Sequence, residues 1–264
     1  MSLLELKDVT LHYREEGDPA GAPVVFANSL GTDLSLWEAM LPHLPPGLRL
    51  IRYDKRGHGA SSVPAPPYTM GALVRDAEAL MDHLDLQGAV FVGLSIGGLI
   101  GQGLAAKRLD LVRALVLSNT AAKIGSREMW QARVDAIRAG GLESAADDIM
   151  TRWFSRDFFK TGDVAHWRAV LLAQSQEGYL GCCEAIAGTD FYTPTAALRL
   201  PLLGIAGSED GATPPDLVRE TVGLVPGARF ELMRRTGHLP CVEQPEAYAA
   251  LLGGFLKEIG HVAG

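Results

Sequence analysis

Apolar residues recur along this chain in two patterns, short dense runs and longer stretches at helical spacing. The short runs are typical of strands that are buried on both faces of a sheet. They cover residues 23–27, 48–53, 89–92, 114–118, 200–207 and 228–233. Helical spacing follows Thr69, a predicted N-cap, as far as Asp85, and it recurs from Pro245 to Ile259, before Gly260. Strands therefore alternate with helices from Pro23 onward, which predicts an α/β fold with a mostly parallel, doubly wound sheet.

Two further segments depart from that alternation. Apolar residues alternate with polar ones on either side of Lys7-Asp8, which predicts an antiparallel hairpin at the sheet edge. Residues 121–192 contain amphipathic stretches with glycine breaks and carry Trp130, Trp153 and Trp167. We interpret 121–192 as a helical cap inserted into a core formed by 1–120 and 193–264. For Trp167 the preferred interpretation is packing within the cap.

Composition restricts the classes of ligand. The 264 residues carry a formal net charge of -7 and no basic tract, which argues against nucleic acid or an anionic membrane as partner. A small anionic substrate would need a local cationic group. Cys182, Cys183 and Cys241 form no disulfide framework, and no Cys/His cluster has metal-ligand spacing, so we predict neither metal nor cofactor. The beginning of the chain resembles no secretory leader, so a cytoplasmic protein is expected, and a homo-oligomer is left open.

The segment from Gly93 to Gly98, Gly-Leu-Ser-Ile-Gly-Gly, has the form of a nucleophile elbow. Such a serine occupies a strained turn between a strand and a helix, so the residues two before and two after it must be small. Gly93 and Gly97 meet that demand around Ser95. The helix that follows would direct its N-terminus, including the Ile96 N–H, at a developing oxyanion. Leu30 follows a neighbouring strand and is placed to supply a second N–H.

Asp210 and His238 also come just after predicted strands, so all three groups are expected at one sheet edge. A serine hydroxyl needs a base, here His238, and an acid that fixes the imidazole tautomer. Glu209 is the alternative acid, but it points the opposite way in extended backbone, and we favour Asp210. His58 precedes the serine in a glycine-rich loop, so a structural role is preferred. Farther along, Thr213-Pro214-Pro215-Asp216 has the form of an N-cap with a proline at the first helical position.

These features resemble the α/β-hydrolase superfamily across essentially the whole chain, with its order of serine, acid and histidine. Within it the sequence closely resembles the 3-oxoadipate enol-lactonases of aromatic catabolism. The resemblance rests on residues 28–37, 53–59, 93–98, 206–215 and His238 with 243–245. Many members of the superfamily carry His-Gly where this chain has Asn28-Ser29, and that difference favours the lactonase branch over general esterases.

The resemblance implies hydrolysis of a five-membered enol-lactone that bears an acetate group. Ser95 would attack the ring carbonyl, the N–H groups of Leu30 and Ile96 would hold the oxyanion, and ring opening would expel an enolate. His238 would then activate water on the acyl-enzyme, giving 3-oxoadipate. This small anionic lactone is the expected partner of the protein.

The substrate carboxylate needs a cationic partner near the site. Arg133 and Trp130 are three residues apart and so share one face of a predicted cap helix, while Trp153 would form an apolar wall. These three are the substrate-binding candidates.

The same catalytic groups serve other reactions. A carboxylesterase, a C–C hydrolase or a perhydrolase on this scaffold would use the same triad, and a hydrolase-fold receptor that binds a small molecule without turnover is the non-enzyme alternative. The 28–37 segment and the cap favour the lactonase.

Overall fold

Eight strands form one sheet in the computed structural model, which describes residues 2–263. The strands are β1 (Ser2–Glu5), β2 (Thr10–Gly17), β3 (Ala22–Ala27), β4 (Leu48–Tyr53), β5 (Ala89–Leu94), β6 (Val112–Ser118), β7 (Leu202–Gly207) and β8 (Arg229–Met233). Their spatial order is β1-β2-β4-β3-β5-β6-β7-β8, with antiparallel pairing only for β1–β2 and β2–β4. The mostly parallel α/β sheet and its edge hairpin are thereby confirmed.

Ten α-helices accompany the sheet within the described residues. They are α1 (Met70–His83), α2 (Ile96–Lys107), α3 (Arg127–Gly140), α4 (Glu143–Trp153), α5 (Val164–Leu172), α6 (Gln176–Ala187), α7 (Tyr192–Ala196), α8 (Pro215–Gly223), α9 (Pro240–Glu243) and α10 (Pro245–Glu258). In α1 the Thr69 side chain caps the helix by accepting a hydrogen bond from the Ala72 N–H, as the sequence predicts. No helix within 2–263 is long and apolar enough to cross a membrane.

The central strands are buried on both faces, which explains their dense apolar sequences. Val90, Phe91 and Val92 of β5 are fully buried, and burying each such side chain stabilises the fold by about 1.5–3 kcal/mol. The parallel register pairs Ala27 with Gly93 and Leu94 with Ser118. Consequently the loops after β3, β5, β6 and β7 leave the sheet at the same edge.

Two local predictions are wrong. The connection from β3 to β4 contains only two short 3₁₀ turns, Leu34–Trp37 and Leu41–His43, so the strict alternation of strands and helices begins at β4. Helix α8 does have a proline, Pro215, at its first position, but its N-cap is Pro214 and not Thr213. The Thr213 hydroxyl instead donates to a carboxylate oxygen of Asp210, 2.8 Å away.

The helices α3–α6 form a cap between β6 and β7. Its connection to the sheet edge includes the His238 N–H, which donates to the Trp153 carbonyl over 2.7 Å. Gly57 and Gly178 also approach closely, since a Cβ on Gly178 would lie 2.0 Å from the Gly57 carbonyl oxygen. The cap therefore lies directly over the ends of the parallel strands.

Candidate active site

Ser95 occupies a strained turn between β5 and α2. Its φ of 59° lies in the left-handed region, which a non-glycine residue seldom adopts. A Cβ on Gly93 would lie 2.2 Å from the Gly97 carbonyl oxygen, and one on Gly97 would lie 2.1 Å from the Ala27 carbonyl oxygen. Both glycines are therefore required sterically, and the turn holds Ser95 at the N-terminus of α2.

Asp210 and His238 form a buried pair at the same sheet edge. The Nδ1 atom of His238 lies 2.9 Å from Oδ2 of Asp210, and both side chains are almost fully buried. Glu209 is directed elsewhere, because its carboxylate accepts a hydrogen bond from the Arg156 N–H at 3.1 Å. The structure thus brings Asp210, rather than the alternative Glu209, to the histidine.

Further donors surround the Asp210 carboxylate. Asn119 Nδ2 donates to Oδ2 over 2.7 Å, and the N–H groups of Ala212 and Thr213 donate to Oδ1 over 2.7 and 3.0 Å. Burial acts to raise the pKa of Asp210, but the charge and hydrogen bond of His238, with the bonds from Asn119 and Thr213, lower it overall. Asp210 is therefore held as a carboxylate that accepts the Nδ1–H of His238, which leaves Nε2 as the basic nitrogen.

Two serines share a cavity with His238. Ser95 and Ser29 both line one cavity with His238. Within hydrogen-bond reach of His238 Nε2 lies the hydroxyl of Ser29, at 3.4 Å. Ser29 lies on the loop after β3, and its backbone lacks the positive φ found at Ser95. Sequence reasoning assigned no role to the Ser29 hydroxyl.

The loop after β3 is held from two sides. The Gly31 N–H donates to Nε2 of His58 over 3.0 Å, and Lys55 Nζ donates to the carbonyl oxygens of Ser29 and Thr32 over 2.6 and 3.2 Å. Because Nε2 of His58 accepts, that imidazole is neutral, and burial together with the charge of Lys55 lowers its pKa well below 6.5. No described residue accepts the Leu30 N–H.

The cap completes the cavity, which has a volume of about 90 Å³. Arg133, Trp130 and Trp153, the three substrate-binding candidates, all line it together with Ser95 and His238. The Arg133 guanidinium carbon lies 5.4 Å from the Trp130 ring centroid and 5.7 Å from that of Tyr179. Arg133 forms no ion pair with a described residue, so its charge is available to a ligand.

Other residues considered in the sequence lie away from the reacting groups. Trp167 is buried within the cap and forms an edge-on contact with His166. Cys182, Cys183 and Cys241 are buried free thiols. Burial raises the pKa of Cys182 and of Cys183 to about 12, so both are protonated thiols at neutral pH.

Sequence reasoning missed Asn119, Thr213 and Lys55 as parts of this site. Asn119 follows β6 directly, so its position at the end of a parallel strand was a usable signal. The roles of Thr213 and Lys55 depend on contacts between separate loops, which no local pattern specifies.

The chain matches the model for the alpha/beta hydrolase fold over residues 22–245. It is 38% identical to 3-oxoadipate enol-lactonase 2 of Acinetobacter baylyi, with 96% of each chain covered. The solved enol-lactonase from Burkholderia xenovorans LB400 is 36% identical, with a TM-score of 0.93 over 97% of this chain and 100% of that one. A malate-bound thermophilic esterase from Thermogutta terrifontis is 27% identical, with a TM-score of 0.89 over 96% and 95%. The chain therefore belongs to the α/β-hydrolase family and resembles its enol-lactonases.

Proposed function

We propose that this protein hydrolyses 3-oxoadipate enol-lactone to 3-oxoadipate, with Ser95, His238 and Asp210 as its catalytic triad. The observation that carries the substrate assignment is Arg133, a cation without an ion pair among the described residues, in the same small cavity as Ser95 and His238. The similarity to two enol-lactonases supports the same assignment.

Acylation begins when the Nε2 atom of His238 takes the proton of Ser95 Oγ. The oxygen attacks the ring carbonyl carbon, and the resulting oxyanion receives hydrogen bonds from the N–H groups of Leu30 and Ile96. The ring C–O bond then breaks, and its electrons leave on the enolate oxygen. Asp210 stabilises the imidazolium of His238 throughout this step.

Deacylation repeats the proton transfers with water as the nucleophile. The imidazolium of His238 first gives its proton to the enolate oxygen, so its Nε2 atom is again a base. The Nε2 atom then takes a proton from water, and the water oxygen attacks the acyl carbon. As the ester bond breaks, His238 returns that proton to Ser95 Oγ. The released enol tautomerises to the ketone.

Arg133 binds the free carboxylate of the lactone in this scheme. The cation lies near the rings of Trp130 and Tyr179, which restrict its side chain without neutralising its charge. Since the protein has a formal net charge of -7, an anionic substrate needs such a local cation for binding. Trp153 forms an apolar wall of the same cavity.

A carboxylesterase is the second candidate function, supported by the 27% identity to the esterase from Thermogutta terrifontis. The triad serves both reactions, so only the substrate distinguishes them. We expect kcat/KM for the enol-lactone, followed by its ultraviolet absorbance, to exceed that for p-nitrophenyl acetate by about 100-fold or more, since Arg133 favours only the charged substrate. Turnover of the ester alone would assign an esterase.

A pair of serine variants tests the nucleophile. Ser95→Ala should lower kcat at least about 1,000-fold, because no acyl-enzyme can form. Ser29→Ala removes the hydroxyl that lies 3.4 Å from His238 Nε2, and we expect it to change kcat less than about tenfold. The reverse ranking would make Ser29 the nucleophile and overturn the elbow assignment.

A further inference from the structure

Lys55 is a buried cation beneath the loop that carries Leu30. Its side chain is almost fully buried, and its Nζ donates to the carbonyl oxygens of Ser29 and Thr32 over 2.6 and 3.2 Å. It forms no ion pair with a described residue. An ammonium group without a carboxylate partner is costly to bury, so the position of Lys55 against two carbonyl oxygens requires a physical explanation.

The shorter contact falls on the peptide unit whose other end is the Leu30 N–H. The Ser29 carbonyl oxygen accepts from Lys55 Nζ, from the Thr32 hydroxyl at 3.0 Å and from the Thr32 N–H at 3.3 Å. The N–H end of this peptide has no acceptor among the described residues. Donors at a carbonyl oxygen withdraw electron density from the amide and make its N–H a stronger donor.

We propose that Lys55 polarises the Ser29–Leu30 peptide and fixes its direction, so that the Leu30 N–H binds the oxyanion more strongly than an ordinary amide does. Lys55 is then a positioning residue, because it acts on the reaction only through that peptide. The inference rests on the proposed function only in so far as Leu30 serves acyl transfer. It does not depend on which acyl substrate is the natural one.

The second N–H of the oxyanion hole provides an internal comparison. The Ser95 carbonyl oxygen belongs to the same peptide as the Ile96 N–H, and it accepts from the Thr120 hydroxyl at 2.6 Å. The N–H groups of Gly98 and Leu99 also donate to it, at 2.9 and 3.3 Å. Both peptides therefore accept hydrogen bonds at their carbonyl oxygens, but of the two only the Ser29–Leu30 peptide accepts one from a cation. A charged donor should have the larger effect.

The charge of Lys55 persists at neutral pH. Burial lowers its pKa to about 8, while the carboxylates of Asp54 and Asp33 act in the opposite direction. The Asp54 carboxylate is hydrogen-bonded to His12 Nδ1 and to the Leu34 N–H and does not bind the ammonium directly. Lys55 therefore directs a positive charge at the two carbonyls of the loop.

Lys55→Met tests the proposal, since it retains most of the volume and removes the charge and its hydrogen bonds. We expect kcat to fall about tenfold on both the enol-lactone and p-nitrophenyl acetate, while KM changes less than about twofold. Thr120→Val, the matched variant on the other peptide, should lower kcat only about threefold. Thr32→Val removes a neutral donor from the Ser29 carbonyl and gives a second variant on the same peptide if Lys55→Met fails to fold, with a loss of about threefold again expected.

Inhibitors separate polarisation from a general structural role. A trifluoromethyl ketone forms an adduct that carries an oxyanion, so its Ki should rise about tenfold in Lys55→Met, whereas the Ki of 3-oxoadipate should stay within about twofold. A kcat within twofold of the parent, or equal losses in both Ki values, would overturn the proposal. If only the ester turns over and Lys55→Met still slows it, the lactone assignment fails and the role of Lys55 stands. If the parent protein turns over neither substrate, both the proposed function and the role of Lys55 are overturned.

Discussion

The sheet edge and the cap hold their functional side chains in different ways. At the sheet edge, Asp210 receives hydrogen bonds from four residues, Asn119, Ala212, Thr213 and His238. In the cap, Arg133 is only half-buried and has aromatic rings as its main neighbours. The first arrangement fixes a direction for proton transfer, while the second leaves a cation free to meet an anion.

This difference separates the two parts of the proposed reaction. Groups that are fixed before the substrate arrives need no reorganisation when charge develops, so they lower the barrier to the chemical step. A cation that contacts a remote carboxylate binds ground state and transition state alike, and it therefore acts mainly on KM. Substitutions at the sheet edge should lower kcat, and substitutions in the cap should raise KM.

Asp210→Asn should have the largest effect. The amide cannot hold the His238 Nδ1–H as a carboxylate does, so the imidazole loses the tautomer that leaves Nε2 basic. We expect kcat to fall about 1,000- to 10,000-fold with little change in KM. Steady-state kinetics on the enol-lactone measures both constants.

Glu209→Gln is the matched control, one residue away on the same loop. Its carboxylate accepts from the Arg156 N–H and forms no hydrogen bond with His238, so kcat should remain within about twofold of the parent. A large loss in Glu209→Gln with little loss in Asp210→Asn would reverse the assignment of the acid.

Arg133→Ala should have an intermediate effect, and it should act on KM rather than on kcat. Loss of the cation should raise KM for the enol-lactone at least about tenfold, with kcat changed less than about threefold. For p-nitrophenyl acetate, which has no carboxylate, KM should stay the same. Arg138→Ala on the same helix is the control, because Arg138 is exposed and paired with Glu184. If Arg133→Ala behaves like Arg138→Ala, the cap does not bind the carboxylate.

The same contrast explains what the sequence could predict. The strands, the elbow and the positions of Asp210 and His238 follow from local patterns, because burial on both faces and the steric demands of Ser95 restrict residue types close in the chain. Gly93 and Gly97 are examples, since any side chain at either position would collide with backbone.

Contacts between distant loops could not be predicted in that way. Thr213-Pro214 has the local form of a helix N-cap, yet the Thr213 hydroxyl is turned to Asp210 and the helix begins later. Lys55 appears in the sequence as one more polar residue of a loop, because its carbonyl partners lie more than twenty residues upstream. A single sequence specifies such contacts only through the completed fold.

His58 gives the smallest expected effect, on stability rather than rate, and it tests whether the sheet-edge loop is fixed before substrate binds. Its folded pKa lies well below 6.5 because it is buried and because Lys55 is near. Below about pH 6.5 the imidazole of His58 therefore binds a proton in the unfolded chain but not in the folded protein. The free energy of unfolding is consequently highest above that pH and decreases as the pH falls toward the folded pKa of His58. The loss in free energy of unfolding approaches about 1.4 kcal/mol per pH unit, which corresponds to about 3 °C in Tm.

Thermal unfolding between pH 7.5 and pH 5 measures this loss. The parent protein and the control His43→Gln, at an exposed site, should show the extra decrease in Tm, and His58→Gln should lack it. Equal slopes in all three proteins would mean that the imidazole can be protonated in place, and that the Gly31 N–H does not depend on its lone pair.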